Sequence, residues 1–273
     1  MPTPSPTPSP TPTPTTVAFA DEFNAAELDR ATWTPEGPEF WVNNELQAYV
    51  DSSDTIAIRQ GVAGADGGVL VLKPIFTPGQ DPRGDRNGDF SSGRIDTRGH
   101  YDFTYGRAEA RIKLPEKTGV WPAFWLLGND TWPATGEIDI MEYVGELGWT
   151  SAAMHGPGYS GNTPFAERYN FPGGQRVSDW HIYAVEWDAE TITFEVDGNI
   201  YYRVTRNEVV QRGNWAFDTP KHIVLNFALG GDYPFAINSV VTPYRGLPQS
   251  TVDAILAGEV EMLVDWVRVT PLE

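Results

Sequence analysis

The sequence contains no cysteine, so it offers neither disulfides nor thiolate metal ligands. It also lacks any apolar run near the roughly 20 residues that a transmembrane helix requires. Cationic side chains are scarce, since 19 Lys and Arg stand against 37 Asp and Glu, which gives a formal charge of −18. That charge argues against nucleic acid, anionic membranes and sulfated or carboxylated polymers as partners. A neutral or cationic partner is expected, although an acidic soluble surface explains the charge equally well.

The amino-terminal segment, residues 2–16, alternates proline with serine or threonine and contains seven prolines. This composition predicts an extended, polyproline-like spacer without a packed core. Met1 leads directly into the segment with no signal peptide, and we interpret the start as a junction with another module of a secreted, extracellular protein. A disordered tail is the alternative. Residues 1–16 are therefore assigned as a linker, and residues 17–273 as one domain.

From Val17 onward, short strand-like runs are separated by Gly, Pro, Asn and Asp. Residues 106–114, "GRAEARIKL", alternate between apolar and charged side chains, and residues 191–204 read as a hairpin that turns at Asp197-Gly198. Residues 67–73, 221–229 and 261–269 add buried strands, and only residues 249–259 look helical. Many short strands with turn signals predict an all-β antiparallel sandwich, with a soluble monomer as the default state.

The most informative stretch is "TGEIDIMEYVG", residues 135–145, which carries Glu137, Asp139 and Glu142 within an apolar strand. Because side chains alternate along a strand, Glu137 and Asp139 share one face and Glu142 points to the other. A solvated sheet face is the simple explanation, but such faces mix acids with cations, and like charges side by side destabilise a strand. A functional cluster of carboxyls is therefore favoured.

A β-bulge would bring all three acids to one face, since it inserts one extra residue into one strand of a pair and so reverses the alternation beyond it. A bulge at Ile140-Met141 returns Glu142 to the face of Glu137 and Asp139. Two carboxyls that face each other across a groove suit glycosidic bond cleavage, in which one protonates the leaving oxygen and the other attacks the anomeric carbon. A separation of about 5–5.5 Å predicts retention of configuration, and about 6.5–9.5 Å predicts inversion.

Residues 132–145, "WPATGEIDIMEYVG", resemble the active-site strand of glycoside hydrolase family 16 in its Glu-x-Asp-x-x-Glu form. The resemblance covers nearly all of residues 17–273, because further segments resemble the family in the same order. These segments are "YGRAEARIKLP" (105–115), "GVWPAFWLLG" (119–128), "WHIYAVEWD" (180–188), "FEVDG" (194–198), "LNFALGGDYPF" (225–235) and "MLVDWVRV" (262–269). A single motif would be weak evidence, but the ordered set is highly specific.

The resemblance implies a β-jelly roll of two curved antiparallel sheets with a concave substrate cleft. It implies a retaining enzyme in which Glu137 is the nucleophile and Glu142 the general acid/base. Asp139 matches the residue that hydrogen-bonds to the nucleophile and tunes it. Met141 is the surplus residue that marks the bulged members of the family, which include laminarinases, agarases and carrageenases. No cofactor is expected for catalysis.

The charge of −18 argues against carrageenan, whose sulfates would be repelled. Residues 41–49, "WVNNELQAY", resemble the laminarinase form of an early cleft segment. An endo-β-1,3-glucanase is therefore the first hypothesis, with mixed-linkage glucan as a secondary substrate. An agarase and a non-catalytic glucan-binding module are the alternatives, and transglycosylation stays open as a side activity.

The resemblance also suggests the residues that hold the sugar chain. Trp132 is expected beneath the subsite beside the scissile bond, with Trp121 and Trp125 nearby, because sugars stack on aromatic rings. Core packing is the alternative for each tryptophan. Asn44 and Arg94 match family positions that bind sugar hydroxyls. His155 matches a residue on the leaving-group side of the cleft. An ordinary sheet salt bridge is the alternative for Arg94, and a loop histidine without a role is the alternative for His155.

A structural calcium ion is a second expectation from the resemblance. Asp265 lies in phase with Leu263, Val267 and Val269, and a carboxylate on an apolar face needs a partner. The family often binds calcium on its convex side through such an Asp and main-chain carbonyls, here those of Glu22 and Gly68. A hydrogen-bonded buried aspartate is the alternative. Separately, three residues have calcium-loop spacing without the glycine at the sixth position; they are Asp85, Asn87 and Asp89.

Overall fold

The structure is a computed structural model that describes residues 17–79 and 88–272. The predicted linker over residues 1–16 lies outside the described residues, as do Asp85 and Asn87 of the predicted calcium loop. Asp89 is described, and its carboxylate accepts hydrogen bonds from the Gly79 amide and the Tyr244 hydroxyl.

The described chain is dominated by strands, with three short helices. The strands are β1 (Phe19–Asp21), β2 (Thr34–Pro35), β3 (Gln47–Tyr49), β4 (Ile56–Arg59), β5 (Val69–Leu72), β6 (Ile75–Phe76), β7 (Phe90–Ser92), β8 (Arg94–Asp96), β9 (Asp102–Phe103), β10 (Gly106–Lys113), β11 (Val120–Gly128), β12 (Glu137–Glu142), β13 (Trp149–His155), β14 (Phe165–Asn170), β15 (His181–Trp187), β16 (Thr191–Val196), β17 (Asn199–Thr205), β18 (Lys221–Leu229) and β19 (Met262–Thr270). The helices are α1 (Arg206–Val209), α2 (Asp232–Asn238) and α3 (Gln249–Leu256).

Two eight-stranded antiparallel sheets form the sandwich. The first, called here the β10 sheet, has the order β17-β16-β15-β10-β19-β5-β4, with β1 also paired to β19. The second, called here the β12 sheet, has the order β14-β13-β12-β11-β18-β8-β2, with β9 also paired to β18. A small third sheet joins β3, β7 and β6. The predicted all-β sandwich of two antiparallel sheets is confirmed.

The core lies between the two large sheets and follows the alternation of each strand. In β10, Ala108, Ala110 and Ile112 are fully buried, whereas the charged residues between them are partly exposed. These side chains belong to the same apolar cluster as Leu126 of β11 and Ile138 of β12. Each strand therefore gives one set of alternate residues to the core and leaves the other set free for the outer face of its sheet.

One strand departs from the alternation that its sequence suggests. In β19, Trp266 pairs with Arg111 and Val264 pairs with Ile112, so Asp265 has no counterpart on β10 and forms a bulge. The expectation that Asp265 is in phase with Val267 and Val269 is therefore wrong, because Asp265 contacts Arg111 on the outer face of the sheet. Val267 faces the core, whereas Leu263 belongs to a separate apolar cluster with residues 69 and 71.

The helical prediction for residues 249–259 is confirmed as α3, but α2 was not predicted. Two glycines precede α2 and Pro234 lies in its first turn, a pattern typical of a loop; proline is nevertheless tolerated there because that amide has no partner inside the helix. Within the described residues, no helix has the length and apolar character needed to cross a bilayer.

Candidate active site

The strand β12 contains the predicted bulge. Asp139 and Glu142 are three residues apart, but their partners on β11 are Trp125 and Ala123, which are two residues apart. The pairing with β13 is interrupted at the same place, between Asp139 and Glu142. Irregular pairing at Ile140-Met141 is thereby confirmed, and it restores Glu142 to the face that carries Asp139.

The three carboxyl groups of β12 converge on the face turned away from the core. The Trp121 indole N–H donates a hydrogen bond of 2.9 Å to Oε1 of Glu142. The Nε2 atom of His155 lies 3.4 Å from Oδ2 of Asp139 and 3.9 Å from Oε1 of Glu137. The structure therefore brings together His155, Trp121 and all three acids that the sequence singled out.

Burial raises the pKa of each of the three acids. The pKa of Glu137 rises to about 8, first because its carboxyl is buried and second because Asp139 is close. The pKa of Glu142 rises to about 7 for the first of these reasons, although the Trp121 hydrogen bond opposes the rise. The pKa of Asp139 lies well above its ordinary range, through burial and the charge of Glu142.

No Lys or Arg forms an ion pair with these acids in the described part of the chain; His155 is the basic side chain beside them. Carboxyl groups packed this closely cannot all ionise, so they titrate as a cluster. The cluster therefore keeps at least one proton at neutral pH, which is the condition for general acid catalysis.

The predicted sugar-stacking tryptophans occupy three different environments. Trp132 is 46% exposed, and its ring lies 6.2 Å from that of His155, so its surface is available to a ligand. Trp121 is half-buried and packs edge-on against Tyr233 at 5.6 Å. Trp125 donates from its indole N–H to Asn226. Their roles in binding sugar remain predictions.

Arg94 and Asn44 lie on the β11, β18 and β8 side of the acids. Arg94 is 1% exposed, with its guanidinium 3.9 Å from the Phe40 ring centre and 4.8 Å from that of Trp125. Its Nε and Nη2 atoms have no hydrogen-bond partner. Phe40 therefore covers Arg94 in this structure, and the binding of a sugar hydroxyl by Arg94 stays a prediction. Asn44 is exposed and donates to Asp232 at 2.8 Å.

Sequence reasoning missed a buried polar network beneath Trp125. Glu45 accepts from the Gln47 amide at 2.7 Å, and its burial raises its pKa to about 6. The Asn226 amide that accepts from Trp125 donates to the Tyr49 hydroxyl at 3.0 Å. The segment "NNELQAY" contains three of the residues involved, but no spacing rule connects them to Asn226, which lies 177 residues beyond Tyr49.

Two further side chains extend the site beyond Glu142. The Ser151 hydroxyl lies 3.1 Å from that of Tyr233, the residue that packs on Trp121. Tyr233 lies in α2, within a segment that resembled the family, but nothing in its local sequence distinguished it from a core tyrosine.

The described residues contain one group of metal-ligating side chains close enough to hold an ion. It consists of Glu137, Asp139 and His155, whose ligand atoms lie within 4.8 Å of one another. These are also the residues with the shared protons described above, so the group is already explained by acid–base chemistry.

Asp265, the side chain expected to bind calcium, already has two partners. Asp265 is 1% exposed; one carboxylate oxygen accepts from the Asp66 amide at 3.0 Å and the other from the Arg111 guanidinium. The ligands expected from Glu22 and Gly68 are their main-chain carbonyls, which stay a prediction. A cation at Asp265 would have to displace Arg111, so the contacts are those of the alternative, a hydrogen-bonded buried aspartate.

The family of the chain follows from its comparison with known proteins. Residues 70–245 match the profile of glycosyl hydrolases family 16. The chain is 35% identical over 234 residues to glucan endo-1,3-beta-glucosidase A1 of Niallia circulans, a match that covers 78% of this chain and 33% of that protein. It is 34% identical to a beta-glucanase of Rhodothermus marinus, with 79% of this chain and 76% of that protein covered.

Among solved structures, the laminarinase catalytic domain of Thermotoga maritima superimposes with a TM-score of 0.78 at 31% identity. That comparison covers 95% of this chain and 99% of the domain, whereas the chain spans only about a third of the Niallia circulans protein. The profile match, the two relatives and the shared sandwich fold indicate the same family as the bulged acidic strand does. This chain belongs to glycosyl hydrolase family 16.

Proposed function

We propose that this protein is an endo-acting, retaining glycoside hydrolase that cleaves β-1,3-glucan and, as a secondary substrate, mixed-linkage β-1,3-1,4-glucan. The observation that carries the proposal is the bulge in β12, which gathers three acids with raised pKa values beside the exposed indole of Trp132. The names of the relatives support the choice of a glucan, and the charge of −18 favours a neutral polymer.

The reaction proceeds by double displacement. Glu137 attacks the anomeric carbon while Glu142 gives its proton to the leaving oxygen, which forms a covalent glycosyl-enzyme and a free sugar end. Glu142, now charged, then takes a proton from water, and the water oxygen attacks the same carbon and releases Glu137. The Trp121 indole N–H, which donates to Glu142, is placed to stabilise the charge that appears there between the two steps.

The reactive form needs Glu137 ionised and Glu142 protonated. The pKa values of about 8 and about 7 rank the two residues in the opposite order. Because carboxyls in contact share protons, that ranking belongs to the whole cluster, and the proton between Glu137 and Asp139 can lie on either residue. When Asp139 holds it, Asp139 donates a hydrogen bond to Glu137, which is then the charged nucleophile.

The substrate assignment is tested by incubating the protein with laminarin, lichenan, agarose and carrageenan and measuring reducing ends together with the loss of polymer length. We expect rapid shortening of laminarin, slower hydrolysis of lichenan and none of the other two polymers. Cleavage of agarose without cleavage of laminarin would replace this proposal with the agarase alternative. Binding to laminarin without release of reducing ends would favour a non-catalytic module.

The cellular setting belongs to the same proposal. The proline-threonine segment of residues 2–16 supports an extracellular enzyme, joined by this spacer to another module and monomeric in its catalytic domain. Mass measurement by light scattering after size exclusion tests the oligomeric state. A dimer mass would overturn that part of the proposal and leave the activity unaffected.

A further inference from the structure

Lys221, the first residue of β18, has its ammonium group buried among main-chain carbonyls. The residue is 0% exposed, and Nζ donates to the carbonyl oxygens of Thr135 at 2.7 Å and of Ala216 and Thr219 at 3.1 Å each. The Thr219 hydroxyl lies 3.3 Å away as a fourth oxygen. No carboxylate contacts Nζ within the described residues, so three carbonyls and one hydroxyl surround the charge, as such oxygens would surround a bound cation.

The carbonyl of Thr135 belongs to the connection between β11 and β12, residues 129–136, called here the Trp132 loop. The loop is closed at its base by a hydrogen bond of 3.0 Å from the Gly128 amide to the Gly136 carbonyl. Lys221 holds the end of this loop that enters β12, two residues before Glu137.

The next residue of β18 holds the other end of the loop. His222 lies with Nδ1 2.8 Å from the Asn129 side-chain oxygen, and the Asn129 amide donates to Asp102. Because the oxygen of Asn129 must accept, Nδ1 of His222 carries a proton; burial lowers the pKa of this histidine to about 3, so its ring is neutral. Two consecutive residues of one strand therefore fasten the two ends of the Trp132 loop.

The opposite anchor of Lys221, residues 215–219, is itself fixed. Asp218 accepts hydrogen bonds of 2.9 Å from the Tyr105 hydroxyl and the Trp215 indole, and it forms an ion pair with Arg206. This segment also lies directly against the loop, since a Cβ on Gly136 would come within 2.6 Å of the Ala216 carbonyl oxygen. Lys221 thus joins the loop to a rigid support.

We infer that Lys221 is a positioning residue of the substrate cleft, and that its buried ammonium fixes the Trp132 loop so that the indole stands beside Glu137 and His155. The inference rests on the proposed function, because that function makes the exposed ring of Trp132 a platform for sugar. Lys221 touches neither sugar nor the reacting atoms. It acts through Thr135 and the backbone that leads from Trp132 to Glu137.

Removing the ammonium takes a charge-assisted hydrogen bond from the loop and leaves the Thr135 carbonyl with only the longer one, of 3.4 Å, from the Thr219 hydroxyl. The Trp132 loop should then occupy several positions, and only some of them present the ring to the substrate. The fraction of enzyme that is competent to bind falls, so the expected change appears in KM more than in kcat.

The test is a double-mutant cycle with Lys221→Met and Trp132→Ala, measured on whichever polysaccharide the wild type cleaves. We expect Lys221→Met alone to lower kcat/KM about tenfold, chiefly through KM. In the Trp132→Ala background, the same substitution should lower kcat/KM by less than about twofold, because the ring that it positions is gone. An equal loss in both backgrounds would overturn the inference.

The matched control is Lys117→Met, which removes a lysine from an exposed ion pair with Glu259 and should leave kcat/KM unchanged. If Lys221→Met does not fold, Thr219→Val replaces it in the cycle, since it removes one oxygen that faces Nζ and a 3.4 Å hydrogen bond to the Thr135 carbonyl, and so loosens the same anchor while keeping the charge. We then expect about a twofold loss of kcat/KM that disappears with Trp132→Ala. Persistence of that loss in the Trp132→Ala background would overturn the inference as well.

A fluorescence measurement keeps this inference separate from the proposed activity. The contribution of Trp132 to acrylamide quenching is the difference between proteins with and without Trp132→Phe. That difference should grow when Lys221→Met is added, and an unchanged difference would contradict the role of Lys221. If the wild type cleaves none of the four polysaccharides, the proposed function fails, but the quenching comparison still decides whether Lys221 fixes the loop.

Discussion

Two β-bulges, in β12 and in β19, turn a carboxylate toward opposite kinds of neighbour. The bulge in β12 brings Glu142 toward two other acids, and no Lys or Arg forms an ion pair with them in the described chain. The bulge in β19 brings Asp265 to the guanidinium of Arg111 and a main-chain N–H. The backbone device is the same, and the neighbour decides whether the carboxyl holds a shared proton or has its charge compensated. The first arrangement suits chemistry, and the second suits stability.

The largest effect should come from the acidic side of this comparison. Glu137→Ser removes the nucleophile, so hydrolysis should fall by more than about a thousandfold while the fold is preserved. Reducing-end assays measure the loss, and circular dichroism with thermal unfolding checks the fold. A well-folded Glu137→Ser protein that retains activity would refute the assignment of Glu137.

Breaking the ion pair between Asp265 and Arg111 should lower the stability of the protein and leave its activity unchanged. Arg111→Met leaves the buried carboxylate of Asp265 without its cation, which should lower the free energy of unfolding by about 3 kcal/mol. Urea unfolding measures this loss, and kcat should be unchanged at temperatures well below Tm. The double variant Arg111→Met with Asp265→Asn is the control and should recover much of the loss. Failure to recover it would indicate that Arg111 contributes chiefly by packing.

The two sides should also differ in how stability depends on pH. The pKa of Glu137 is raised from 4.5 to about 8 in the folded protein, so the unfolded chain releases this proton first as the pH rises. The wild type should therefore lose stability between these two pH values, whereas Glu137→Gln should be free of this loss. At pH 8 we expect the variant to be more stable than the wild type by about 4 kcal/mol, and at pH 4 the difference should vanish. Equal pH dependence in the two proteins would contradict the raised pKa.

The smallest effect concerns a metal at Asp265. Since this carboxylate already has Arg111 and the Asp66 amide as partners, a chelator should change Tm by less than about 1 °C. Thermal unfolding with a chelator and with added calcium measures this. A drop in Tm that calcium reverses would instead support the calcium site expected from Glu22, Gly68 and Asp265.

The sequence sufficed to predict the bulge in β12 but not the bulge in β19, and the reason is physical. In β12 three acids stood on mismatched faces, and a bulge was the least costly way to reconcile them. In β19 a single Asp265 on an apparently apolar face raised the same question, but a metal ligand was a competing explanation. The register of the neighbouring strand decides between the two, and a sequence read strand by strand does not contain it.

The positions of the three acids, His155 and the three tryptophans followed from motifs, because their side chains carry the signal. Lys221 could not be found in that way, since its partners are carbonyl oxygens that every residue possesses. The covering of Arg94 by Phe40 could not be predicted either, because residues 54 positions apart meet only in the folded protein. Sequence patterns therefore identified the groups that react and left out the groups that hold them in place.

The bulge in β12 also means that the deletion of a single residue can change the geometry of this site. Just beyond it, the Tyr143 amide donates to the Pro122 carbonyl, so the strand regains its partner within one residue. Deleting Met141, a loss of one codon, would remove the irregularity and leave the flanking pairing to close over it. The distance and direction between the two reacting acids would then change in a single heritable event, with the core residues on either side still in register.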